Sequence, residues 1–231
     1  MPVTTVGIDA DDTLWHNETL FRLTHKRFVE LLAPYGDEAQ IDARLAETEK
    51  RNLRLYGYGA KGFTLSMIET AMDLTDSQVS IGVIRQILAA GREMLTEPVE
   101  PLPGVEKALA TLSERYRLVL ITKGDLLHQE QKLAASGLGD LFAAVEIVSE
   151  KDASTYERVF ARHGTGAAEA VMCGNSMRSD ILPAVEAGAY GAYVPYPLIW
   201  AHEMAEAPTG HPRFAELASI RDLPAWIAGL G

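Results

Sequence analysis

The first residues whose chemistry needs an explanation are Asp9, Asp11 and Thr13, spaced Asp-x-Asp-x-Thr directly after the apolar run 6–8. A carboxylate at the end of a buried strand can act as a nucleophile and form a covalent acyl-phosphate. A second carboxyl two residues on can protonate a leaving oxygen and then deprotonate water. Carboxylates crowded in this way repel, and Mg²⁺, which prefers carboxylate, carbonyl and water oxygens, would relieve that crowding. A single aspartate here would be read as a solvated loop or helix cap, and Asp12 is read as such a turn or capping residue. The alternating pattern after a strand is read as a reaction centre.

These residues need a frame. Residues 3–10 carry a strand pattern, and from Glu18 to about Glu97 only helical periodicity follows. A proline-rich break at 97–104 ends the helical block. Strand patterns then fall at 117–124, 143–149, 170–176 and 189–196, with helices at 104–115, 125–136, 153–163 and 178–188 between them. Short apolar strands alternating with helices predict a parallel sheet covered on both faces. The expected fold is α/β: a doubly wound, Rossmann-like parallel sheet with an inserted all-helical domain. Residues 1–14 and 99–231 would form the core and 15–98 a helical cap. In such sheets the site lies at the carboxyl ends of the strands, here after Ile8, Ile121, Val148 and Met172.

Each of those ends carries polar residues. Thr122 ends the second strand, where its hydroxyl and the following N–H groups can donate to phosphoryl oxygens; Lys123 beside it is a candidate substrate contact. Lys151 follows the third strand and can neutralise a carboxylate or phosphate. After the fourth, "CGNSMRSD" offers Asn175 and Asp180 as oxygen donors to a cation, with Gly174 for a tight turn. Cys173 is read as a small buried apolar residue. The stretch "GYGAKG" at 57–62 fits a dinucleotide glycine pattern but follows a charged helix rather than a strand. It is read as a loop whose Tyr58 and Lys61 can reach a substrate. The segment 197–208, with Trp200, His202 and Glu203, is expected to hold a packed tryptophan and a surface helix.

Composition sets further bounds. At 47% hydrophobic residues the 231-residue chain can build a large core, and its formal net charge of -11 disfavours nucleic acid and anionic membrane surfaces as partners. One cysteine excludes an internal disulfide. No signal-peptide pattern and no membrane-length apolar run is found, so a cytoplasmic protein, monomer or homodimer, is expected.

Taken together, the four strand ends resemble the haloacid dehalogenase (HAD) superfamily of hydrolases over nearly the whole chain. Asp9, Asp11 and Thr13 match its first motif, Thr122 the second, Lys151 the third, and Asp180 part of the fourth; Asn175 stands where many members have Asp. The resemblance implies that Asp9 attacks phosphorus and shares Mg²⁺. It implies that Asp11 protonates the leaving group while its main-chain carbonyl meets the metal, and that Thr122 and Lys151 hold the phosphoryl group. Asn175 or Asp180 would complete the Mg²⁺ site. The implied substrate is a small phosphorylated metabolite, a phosphomonoester. Members that cleave carbon–halogen bonds typically lack an acid at the Asp11 position, so a dehalogenase is the alternative. So are a phosphonate hydrolase using Lys61 and a non-catalytic binding protein that keeps the fold.

Overall fold

A computed structural model describes residues 2–230, apart from the side chain of His202. The chain divides into two compact units: residues 1–18, 99–123 and 129–231, and residues 19–98 with 124–128.

The first unit is built on a six-stranded sheet in the order β3-β2-β1-β4-β5-β6. The strands are β1 (Thr5–Ile8), β2 (Arg117–Lys123), β3 (Ala144–Val148), β4 (Ala170–Gly174), β5 (Tyr190–Tyr193) and β6 (Phe214–Glu216). Every pairing is parallel. The strand order reverses around β1, which places the topological switch point at its carboxyl end, where Asp9 follows. Alternation along the strands sends Leu118, Leu120, Val171 and Cys173 to one face and Val119, Ile121, Ala170 and Met172 to the other. The first face packs on helices α5 (Val105–Ser113) and α9 (Leu223–Ala228); the second packs on α7 (Ala153–His163) and α8 (Leu182–Glu186). At Gly7, in the central strand, a Cβ would sit 2.8 Å from Ile121 Cδ1 and 3.0 Å from Met172 Sδ. Glycine there lets these side chains pack directly across β1.

The second unit comprises α1 (Glu18–Leu32), α2 (Glu38–Tyr56), α3 (Ala60–Leu74) and α4 (Ile81–Thr96). Phe28, Leu32, Ile41, Leu45, Phe63, Met67, Ile87 and Met94 form its core. Asp37 and Gln40 cap α2 reciprocally, and Ser80 caps α4.

This is the expected doubly wound fold with a helical insertion. Three local expectations need correction. Lys61 lies in the first turn of α3 rather than in a loop, because α2 ends at Tyr56 and the link spans only residues 57–59. The helix expected over 178–188 is a π-helical turn, Met177–Ile181, followed by the short α8. The 197–208 segment holds only a one-turn 3₁₀ helix, Ala201–Glu203, and an additional strand, β6, follows it. Among the described residues no helix is long and apolar enough to cross a membrane.

Candidate active site

Because all strands run parallel, their carboxyl ends share one edge, and the predicted residues of the first unit meet there. Asp9 leaves β1 with its N–H bonded to the Cys173 carbonyl. Lys151 Nζ donates to Asp9 Oδ1 at 2.5 Å and to Asp180 Oδ1 at 2.7 Å. Thr13 Oγ1 donates to Asp9 Oδ2 at 3.1 Å, and the Ser176 N–H to Asp180 Oδ2 at 2.9 Å. Asp9, Lys151 and Asp180 are all buried. Two carboxylates thus share one ammonium out of water, an excess of one negative charge. Burial, reinforced by Asp180 and opposed by Lys151, pushes the Asp9 carboxyl up to about 7. Burial works against the Lys151 ammonium, but the two carboxylates outweigh it and hold its proton more tightly than usual.

Gly174 is needed for this arrangement. A Cβ there would fall 2.2 Å from Asp180 Oδ2. Gly174→Ala is therefore expected to displace Asp180 from Lys151 and to cost about 1–3 kcal/mol, the scale of overpacking. Urea unfolding measures the loss, and an unchanged midpoint would contradict the fit.

Asp11 has a different environment. Lys132 Nζ and Trp15 Nε1 donate to its Oδ1 at 2.6 and 2.7 Å, and Gln129 Nε2 to its Oδ2 at 3.2 Å. Burial raises this carboxyl, but the Lys132 charge and the three donors prevail and hold it below the usual range. Asp12 is a cap, as expected: at φ 61° its carboxylate accepts from the N–H groups of Asn17 and Glu18 at the start of α1. Cys173 is buried in β4, and burial raises its thiol.

Thr122 is buried, and its Oγ1 accepts from Gln129 Nε2 at 2.8 Å. Lys123 Nζ pairs with Glu203 Oε1 and donates to Ser179 Oγ, both at 2.8 Å, while Ser176 Oγ donates to the other Glu203 oxygen. Glu203 is thus no surface-helix residue; its carboxylate folds back onto Lys123 and onto Ser176, next to Asn175. Tyr58 and Lys61 belong to the helical unit, where Lys61 Nζ pairs with Asp125 at 2.8 Å.

Sequence reasoning missed Gln129, Lys132 and Trp15, and assigned Glu203 to a surface helix rather than to the cleft rim. A signal for two of them was present in "LLHQEQKL". On the helix it forms, α6 (Leu126–Ser136), Leu126 and Leu127 are 60% and 55% exposed, while Gln129 and Lys132 are 3% and 7% exposed. The helix turns a polar face inward.

The oxygens available to a cation are Asp9 Oδ2, the Asp11 carbonyl and Asn175. One terminal amide atom of Asn175 lies 3.1 Å from the Asp11 carbonyl oxygen, 3.1 Å from Thr13 Oγ1 and 3.2 Å from Asp9 Oδ2. As nitrogen, it donates to these acceptors directly. As oxygen, it completes three oxygens that face one another. Adjacent ligands of an octahedral Mg²⁺ at 2.0–2.1 Å would stand about 2.9 Å apart, so the donor set fits a small divalent cation. Asp180 is committed to Lys151 and Ser176. Among the described residues no group of three or more His, Cys, Asp or Glu side chains is placed to hold a metal.

A family model for haloacid dehalogenase-like hydrolases matches residues 3–188. The chain belongs to this family. A haloacid dehalogenase-like hydrolase from Xanthomonas campestris is 43% identical, with 99% of this chain and 91% of that one covered at a TM-score of 0.88. L-2-haloacid dehalogenase from Xanthobacter autotrophicus, solved with chloropropionic acid covalently bound, is 16% identical, covering 99% and 100% at a TM-score of 0.66. YfnB of Bacillus subtilis, assigned to the HAD hydrolases and solved with magnesium, is 15% identical, covering 98% and 99% at 0.67. No curated protein sequence matches. The HAD family to which the chain belongs is generally Mg²⁺-dependent. At 15–16% identity the last two likenesses show the HAD fold alone.

Proposed function

We propose that this HAD hydrolase cleaves small phosphomonoesters through an aspartyl-phosphate on Asp9. The observation that carries the reading is the second carboxylate, Asp11, two residues from a buried aspartate that is bound to lysine and threonine. Asp9 attacks phosphorus, the bond to the ester oxygen breaks, and Asp11 delivers a proton to that oxygen. Asp11 then takes a proton from water, which attacks the phosphorus and returns Asp9 with release of inorganic phosphate. Thr122 donates to a phosphoryl oxygen. Lys151 keeps Asp9 aligned and offsets the charge that gathers there. Mg²⁺ held by Asp9, the Asp11 carbonyl and Asn175 would neutralise charge on the nucleophile and the phosphoryl oxygens.

The proton inventory of the resting site supports a role for a cation. Its nucleophile is raised toward protonation and its acid is held ionised, the reverse of what the reaction uses. A divalent cation beside Asp9 favours its ionised form.

A second reading is hydrolytic dehalogenation, and the solved relatives favour it over the phosphatase. 2-Haloacid dehalogenases recur among them, although each is only 14–20% identical. The Asn175 amide, which can satisfy Asp9 without a cation, and the firmly ionised Asp11 also suit a reaction whose leaving group takes no proton.

The deciding experiment supplies p-nitrophenyl phosphate and 2-chloropropionate to the same preparation, with Mg²⁺ or EDTA. Phosphate release that needs the metal supports the first reading; halide release indifferent to EDTA supports the second. Asn175→Asp adds a formal charge to the oxygen set. It is expected to lower the Mg²⁺ concentration for half-maximal phosphatase activity by about tenfold. An unchanged titration would remove Asn175 from the metal's neighbourhood.

A further inference from the structure

Gln129 and Lys132 stand three residues apart on α6, so they lie on one face of the helix. Both are buried, and burying an ammonium costs several kcal/mol unless its partners compensate. Lys132 Nζ donates to Asp11 Oδ1 at 2.6 Å and to Asn17 Oδ1 at 2.9 Å. Gln129 Nε2 spreads two hydrogens over three acceptors: Thr122 Oγ1 at 2.8 Å, the Lys123 carbonyl at 3.0 Å and Asp11 Oδ2 at 3.2 Å. One amide therefore ties the second aspartate to the hydroxyl at the end of β2.

This has a consequence for Thr122. Its oxygen already accepts from Gln129, so its own hydrogen must be donated elsewhere. The protein acceptor within reach is the Lys123 carbonyl at 3.3 Å, long for a hydroxyl bond. The hydroxyl is left to donate to a ligand oxygen.

We propose that Gln129 and Lys132 are positioning residues for the acid–base step, fixing the carboxylate of Asp11 and turning the Thr122 hydroxyl toward substrate. The proposal rests on the reading of Asp11 as the acid–base group. An apolar pair at these helix positions would pack more cheaply but would leave Asp11 with Trp15 as its remaining donor. Lys132 also joins Asp11 to Asn17, so the carboxylate is braced by α6 and by the segment that leads into α1.

The test compares p-nitrophenyl phosphate with phenyl phosphate, two esters of similar shape. Nitrophenolate departs readily without a proton, whereas phenolate needs one, so a fault in the acid step falls mainly on the second ester. Loss of the Lys132 charge also lets the Asp11 carboxyl rise, so rates are compared at each protein's own pH optimum. There Lys132→Met is expected to lower kcat/KM for phenyl phosphate by about 10²-fold, within the range for general acid–base catalysis, and for the nitrophenyl ester by less than about tenfold. Gln129→Leu should show the same imbalance, and Lys132→Arg should recover part of the loss. In an Asp11→Asn background, where no carboxylate is left to position and no buried charge is left unpaired, Lys132→Met should add nothing. Equal losses on both esters, or losses that multiply in the double variant, would overturn the positioning role and leave the phosphatase reading standing. Wild-type protein inactive on both esters with Mg²⁺ would overturn both.

Discussion

Asp9→Asn is expected to remove at least about four orders of magnitude from kcat while leaving the protein folded. The amide keeps one oxygen for Lys151 and places its N–H groups against Thr13 Oγ1, which can accept, so packing is preserved and only the nucleophile is lost. Stability should rise. In the wild-type protein the Asp9 carboxyl is pushed from an ordinary value near 3.8 up to about 7. Between those values the unfolded chain has lost a proton that the folded one retains. Stability therefore falls as pH rises through this window and levels off above it. The asparagine variant lacks that fall. Its melting temperature should match the wild type near pH 4 and exceed it most above pH 7, in buffers without divalent cations. Retention of more than about a tenth of wild-type turnover would end the nucleophile assignment.

Lys151→Met should have the opposite signature. It removes the one cation between Asp9 and Asp180, both buried, and strands their charge in a region of low dielectric. Breaking a buried pair from one side costs about 3–5 kcal/mol. For a chain of this length that corresponds to a fall of about 10 °C in Tm. Lys151 opposes the rise of Asp9, so without it the carboxyl holds its proton above the wild-type value of about 7, and the deficit grows as pH rises past that value and is smaller on the acid side. Activity should fall with it, by about 10³-fold or more, since the nucleophile loses both its alignment and its counter-charge. Calorimetry at pH 5 and pH 8 checks the sign: a destabilisation that grows toward acid would contradict the shared-ammonium picture.

The residues that sequence reasoning found share a simple geometry. Asp9, Thr122, Lys151 and Asn175 lie at or just beyond the carboxyl ends of strands whose apolar patterns are unambiguous, and in a parallel sheet those ends converge. The residues it missed reach the site by other routes. Gln129 and Lys132 come in from the side of a helix, where polar residues at i and i+3 ordinarily mark the solvated face. Glu203 returns on a segment without regular periodicity, and nothing in "IWAHEM" shows that its carboxylate meets Lys123. Strand β6 has three residues, too few for an alternation to register. The π-helical turn at Met177–Ile181 inserts one residue into a helical pattern, and Asp180 within it lies over Gly174.

The position of β1 bears on the protein's synthesis. Thr5 pairs with Arg117 on one side and with Ala170 on the other, so β1 has both its neighbours more than a hundred residues downstream. At about 5–20 residues per second, β4 leaves the ribosome on the order of ten to thirty seconds after β1. For most of that interval Asp9 has neither Lys151 nor Asp180 beside it. The nascent chain therefore carries β1 unpaired until β2 arrives and with one edge open until β4 follows, with three aspartates at its end to keep it soluble.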